Sequence, residues 1–135
     1  MDVIEFRDYC LSLPMVEEST PFGHFNEIYD NILVYKIGGK MFAYADMNDF
    51  CRFAVKCDPD EAEELRACHP EVRPSHHSNK RHWNDVYIDG ALTDDFLRRQ
   101  IRNSYLLVVR RNVTPKALRL SILERLEREG FLGGE

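Results

Sequence analysis

Between His76 and Asn84 the chain reads His-His-Ser-Asn-Lys-Arg-His-Trp-Asn, which places three imidazoles, two cations, two amides, a hydroxyl and the only tryptophan within nine residues. That mixture suits a nucleic acid: Lys80 and Arg81 for phosphates, Trp83 for stacking on a base, Asn79 or Asn84 for a base edge. An internal role competes on equal terms, with Trp83 anchoring a loop to the core while Asn79 and His82 satisfy backbone groups. The imidazoles also raise metal binding, together with Cys68 and His69. Zinc needs about four well-placed ligands, and no C-x-x-C or helical H-x-x-x-H spacing is present, so no metal and no cofactor is expected. His77 beside Ser78, and Cys68 beside His69, pair base with nucleophile, but a dyad also needs an orienting group and an oxyanion hole. None of G-x-S-x-G, G-x-x-x-x-G-K-S/T or G-x-G-x-x-G occurs, so no catalytic residue is assigned and an enzyme is not expected. A second cationic group follows at Arg98, Arg99 and Arg102, with Arg110, Arg111, Lys116 and Arg119 beyond. It forms either a phosphate-binding ridge or a solvated helix face tempered by Asp94–Arg98 and Asp95–Arg99 pairs at i, i+4.

The elements that must position these groups can be read from periodicity and punctuation. Asp2 to Leu13 predicts a helix that opens on a D-x-x-E capping box, carries Val3, Phe6, Cys10 and Leu13 on one face, and stops at Pro14. Pro21-Phe22-Gly23 marks a turn. Ile32 to Ile37 and Met41 to Ala45 are β-compatible runs around Gly38-Gly39, the signature of a hairpin. Cys51, Phe53, Val55 and Cys57 alternate with Arg52, Ala54 and Lys56, which predicts a strand with one face buried. Asp58-Pro59-Asp60-Glu61 starts a helix that runs to about Ala67, and Glu71 to Asp89 reads as strand, loop, strand. Thr93 caps a longer helix with Leu97, Ile101, Tyr105 and Val108 in one stripe. A final helix follows Thr114-Pro115, lined by Leu118, Ile122 and Leu126 and ended by Gly130. This order predicts an α+β domain with a mainly antiparallel sheet and helices on one face.

Composition sets wider bounds. The chain has 135 residues, 44% hydrophobic and 30% charged, which fits one globular domain. No run of 18 uncharged apolar residues occurs and the start lacks a signal-peptide pattern, so no membrane contact and a cytoplasmic location are expected. Cys10, Cys51, Cys57 and Cys68 are then read as small buried hydrophobes rather than disulfide partners. The net charge of −5 opposes nonspecific attraction to nucleic acid, but residues 1–71 carry 15 acids and 6 bases whereas residues 72–135 carry 8 acids and 12 bases. A basic face in the second half is compatible with that asymmetry.

Six separated stretches resemble the MmcQ/YjbR family in the right order. They are Leu11-Ser12-Leu13-Pro14, Pro21-Phe22-Gly23, Gly38-Gly39-Lys40-Met41-Phe42-Ala43, Lys56-Cys57-Asp58-Pro59, Asn79-Lys80-Arg81-His82-Trp83-Asn84, and Ser104-Tyr105 with Val108-Val109. His76 and Ser78 depart from the aromatic residue and methionine of the family motif. The resemblance implies a CyaY-like α+β fold over residues 1–112, with residues 113–135 as a C-terminal helical extension of the same domain. It also implies a DNA-binding role of the double-wing kind. The expectation is therefore a non-enzymatic module for double-stranded DNA, using Lys80, Arg81, Trp83 and Asn84 from the loop and Arg98, Arg99 and Arg102 from the helix. The alternative is a protein-interaction or homodimerisation module built on the amphipathic helix Pro115 to Glu129.

Overall fold

A computed structural model of the chain describes residues 1–20 and 31–132, so the turn expected at Pro21-Phe22-Gly23 lies outside the described residues. The first helix, α1 (Val3–Ser12), opens on Asp2, whose Oδ1 accepts from the Glu5 N–H at 2.8 Å while Glu5 Oε1 accepts from the Asp2 N–H at 3.3 Å. This reciprocal box satisfies two of the donors that a helix start leaves unpaired. Six strands follow among the described residues: β1 (Glu17–Ser19), β2 (Ile32–Ile37), β3 (Lys40–Asp46), β4 (Arg52–Lys56), β5 (Val72–Pro74) and β6 (Trp83–Tyr87). They form one sheet in the order β1-β2-β3-β4-β6-β5, with every neighbouring pair antiparallel. Helix α2 (Pro59–Cys68) lies between β4 and β5, and α3 (Asp94–Arg111) and α4 (Lys116–Arg128) follow β6.

The core forms where one face of the sheet meets the helices. Phe6 of α1 is fully buried, with its ring centroid 5.2 Å from Phe53, 5.3 Å from Phe50 and 5.6 Å from Tyr35. Leu97, Ile101, Tyr105 and Val108 of α3 join the same cluster, as do Ile122 and Leu126 of α4. Ser104 fixes α3 to the sheet: its buried Oγ accepts from the Lys56 N–H at 2.8 Å and donates to the Phe42 carbonyl at 2.6 Å. One strand is not predicted from the sequence, and the burial pattern of another needs correcting. The short, acidic β1 shows no alternation, and it forms because it pairs with β2, opposing Glu17 to Lys36. In β4, Ala54 is as buried as Phe53 and Val55, while Cys51 and Cys57 flank the strand half-buried, because the far face of the sheet is covered too. All four thiols are free; only Cys10 is fully buried and Cys68 is exposed.

Three carboxylates tie distant elements together. Asp58 caps α2 and meets Arg111, Glu71 accepts from the Ala91 N–H, and Asp94 meets the Met1 amino group. These hydrogen bonds hold all three below the ordinary carboxylate range. Each group thus binds its proton more weakly folded than unfolded, so its stability contribution is fully present above the unfolded pKa of about 4, declines below it and is lost as pH falls through the lower folded value. Urea midpoints measured between pH 7 and 3 should fall below about pH 5, and Asp58→Asn with Glu71→Gln should flatten that fall.

Candidate anion-binding surfaces

The segment from Ser75 to His82 covers the sheet face opposite the helices. In β4, Phe53 and Val55 point toward the helical core, so Ala54 points away, and Asp85 of β6, directly across from Ala54, points away with it. Asp85 Oδ2 accepts from the His76 N–H at 3.0 Å and lies 3.4 Å from Arg52 Nε. Tyr44, cross-strand to Ala54, hydrogen-bonds the hydroxyls of Ser78 and Ser75. Lys80 Nζ donates to the Ser75 carbonyl at 2.7 Å, and the Asn79 carbonyl accepts from the Trp83 N–H at 2.9 Å. Sequence reasoning missed Arg66 of α2, which donates to Asn84 Oδ1 at 2.8 Å and to the carbonyls of Lys80 and Trp83. An arginine in an otherwise acidic helix carries no signal of that reach.

These contacts correct the expected roles of two residues. Trp83 is 8% exposed and lies against Tyr44, so stacking on a base would require it to leave the core. Asn84 is 1% exposed and its carbonyl oxygen already serves Arg66. Lys80 and Arg81 remain exposed. Ser78 bonds the Tyr44 hydroxyl, and the His69 ring packs on Phe96. No group of three or more His, Cys, Asp or Glu positioned to hold a metal ion occurs among the described residues.

The α3 arginines belong to the other side of the sheet, because α3 packs through Ser104 and Tyr105 on the Phe42 and Val55 face. Arg98 pairs with Asp95 at 3.4 Å, an i, i+3 contact, and not with Asp94, which the Met1 amino group holds at 2.7 Å. Arg102 donates to the Phe131 carbonyl and stacks 4.3 Å over that ring, while its Nε is buried without a partner. Arg99 is exposed. Lys80 and Arg81 therefore do not merge with Arg98, Arg99 and Arg102 into one surface.

A different set of cations converges at the hairpin end of the sheet. Gly38, at φ +57°, brings the β2–β3 turn against Val113 just after α3. Lys40 opens β3 and Lys56 closes the antiparallel β4, which puts both at this end. Lys56 Nζ donates to Asn112 Oδ1 at 3.0 Å, beside Arg110 and Arg111 in the last turn of α3. Burial, and then the charge of Lys40, lowers the Lys56 pKa. Lys116 opens α4 three residues beyond Val113. Arg111 pairs with Asp58 at 2.8 Å, whereas Lys40, Lys56, Arg110 and Lys116 have no carboxylate partner among the described residues. Beside this end, a cleft of about 380 Å³ opens between α2, α3 and β4, lined in part by Lys56, Asn84, Gln100, Asn103 and Arg110. Turn and cap residues mark where Lys40 and Lys56 lie, but the closure of Asn112 onto Lys56 spans 56 residues and left no local trace.

An α+β domain with an antiparallel sheet, and with four cations at its hairpin end that make no salt bridge among the described residues, is the class defined so far. The YjbR family model matches residues 11–107, and the chain belongs to the YjbR family. It is 32% identical over 125 residues to the uncharacterized protein YjbR of Escherichia coli K12, covering 92% of this chain and 99% of that one. It is 34% identical over 101 residues to the uncharacterized protein YbdF of Escherichia coli O157:H7, covering 74% and 78%. Among solved structures, the Deinococcus radiodurans protein DR2400, a DUF419 domain, superposes with a TM-score of 0.77 at 36% identity, over 89% of this chain and 86% of the other. A Pseudomonas syringae protein shares the fold with a TM-score of 0.65 at 22% identity, over 79% and 98%. No helix of the described residues is long and apolar enough to cross a membrane.

Proposed function

We propose that this protein is a non-enzymatic module that binds the phosphate backbone of double-stranded DNA through its hairpin end. The observation that supports this reading is that Lys40, Lys56, Arg110 and Lys116 belong to the elements at the hairpin end, with Lys56 on Asn112, and make no salt bridge among the described residues. Like charges crowded on one end are relieved by a polyanion, and each phosphate they neutralise releases counterions from the duplex. With Trp83 and Asn84 withdrawn into the fold, base readout has little to work with, so binding is weakly selective for sequence. The net charge of −5 opposes DNA over the rest of the surface, so binding on this reading is confined to the hairpin end.

Anisotropy titrations with a labelled duplex test the proposal. Lys40→Glu with Lys116→Glu should weaken binding at least tenfold and make the salt dependence shallower by about two phosphate equivalents, at roughly 0.9 in log–log slope for each. Arg98→Ala should change affinity less than twofold, because that guanidinium is already paired with Asp95. Unchanged binding by the double variant would refute the proposal. The self-association reading has less to draw on: Ile122 and Leu126 of the α4 stripe are spent inside the core, leaving Leu118 and Leu120 39% and 52% exposed.

A further inference from the structure

We propose that the cleft between α2 and α3 is a binding site for a small organic anion, held at one end by Lys56 and Arg110 and along its body by the amides of Gln100 and Asn103. The volume of about 380 Å³ falls within the range of small-molecule sites, which run from roughly 300 to 1,000 Å³. It is too narrow for a duplex, so the proposal goes beyond the reading of the hairpin end.

The lining has the chemistry that such a ligand requires. Of the three cations, Arg111 is committed to Asp58, which leaves Lys56 and Arg110 to meet a charge. Of the two acids, Asp58 is held by Arg111 and by the first turn of α2, so Glu61 is the one carboxylate in the lining outside an ion pair. Burial and the charge of Lys40 already penalise the Lys56 ammonium, and an anion beside it would lift part of that penalty. The amides supply direction. Asn84 is 1% exposed and gives its oxygen to Arg66, leaving its NH₂ group without a partner among the described residues. Gln100 is 8% exposed, its side chain makes no hydrogen bond among the described residues, and its amide is not among the buried unpaired groups, so it is open to the cleft it lines and available to a ligand. Leu65 and Leu107 form an apolar wall, so the site suits a molecule with both a carbon body and a charged end.

The shared chemistry is an anionic group on a small organic body, either a phosphate ester or a carboxylate. Titration of the ¹⁵N-labelled full chain with adenosine monophosphate, succinate and inorganic phosphate distinguishes the sources. Saturable shifts of the Asn84, Gln100 and Asn103 side-chain amides are expected with one of the two organic ligands. Adenosine monophosphate alone would assign a phosphate ester, and succinate alone a carboxylate. Gln100→Met and Asn103→Ala should each weaken that binding about tenfold, the latter at an exposed position that leaves folding intact, and neither should alter DNA anisotropy. Conversely, Lys116→Glu, at a residue outside the cleft lining, should weaken DNA binding and spare the small anion, so the two proposals fail separately. No saturation with either organic ligand would overturn the assignment, as would equal binding of inorganic phosphate, or affinity unmoved by both amide variants.

Discussion

Replacing Gly38 with alanine should lower stability by roughly 2–4 kcal/mol, whereas the same change at Gly39 should cost only about 1–2 kcal/mol. Both residues hold positive φ, +57° and +78°, where a Cβ is strained by its own backbone. They differ in what lies beyond. A Cβ on Gly38 would sit 2.8 Å from Val113 Cγ1 and 3.0 Å from its Cγ2, while nothing approaches within 4 Å at Gly39. Val113 is fully buried and cannot swing into solvent, so either the hairpin or the α3–α4 junction must move. If the hairpin end binds DNA as proposed, such a movement should also lower DNA affinity in Gly38→Ala at temperatures where the variant is still folded. Urea unfolding of the two variants side by side is the measurement. Equal losses would mean that the contact with Val113 contributes nothing.

Phe6→Ala should remove about 3–5 kcal/mol, enough to leave a marginally stable domain largely unfolded at 37 °C. The ring fills the space among Tyr35, Phe50 and Phe53, and its loss leaves a cavity walled by the sheet, whose backbone hydrogen bonds prevent collapse. It is also the main anchor of α1, since only Phe6 and Cys10 of that helix are fully buried. Ile4 on the same helix is 66% exposed, and its replacement by alanine should move the urea midpoint by less than about 0.5 kcal/mol equivalent. A Phe6→Ala protein with a near-native midpoint would mean that α1 is not held as described.

The elements were legible wherever the determining interaction is local. Asp2 and Glu5 close their box within four residues, Gly38-Gly39 sets a turn by conformational freedom, and Asp58-Pro59 and Thr93 start helices by capping. The apolar stripe of α3 follows from its 3.6-residue period. What sequence could not give is the face of the sheet on which a loop folds down. Lys80 and Arg98 are equally cationic as letters, yet one lies over the Ala54 side and the other follows a helix on the Phe53 side. Arg102 reads as a free charge until Phe131, 29 residues on, captures it. Trp83 and Asn84 stood out by residue type, and the fold uses them as cover and brace. The cationic end was only half legible, because Lys40 and Lys56 come from the acidic half of the chain, where net charge points away from them.

Both margins of the sheet are only three residues long, and their makeup bears on how the protein behaves at high concentration. The β5 margin ends in Pro74, which lacks an N–H to offer an incoming strand, and its Arg73 guanidinium lies over the Tyr87 ring. The β1 margin carries Glu17 and Glu18. Among the described residues, both borders are short and carry groups that disfavour edge-to-edge growth, so crowded solutions are guarded against fibrous association through the sheet.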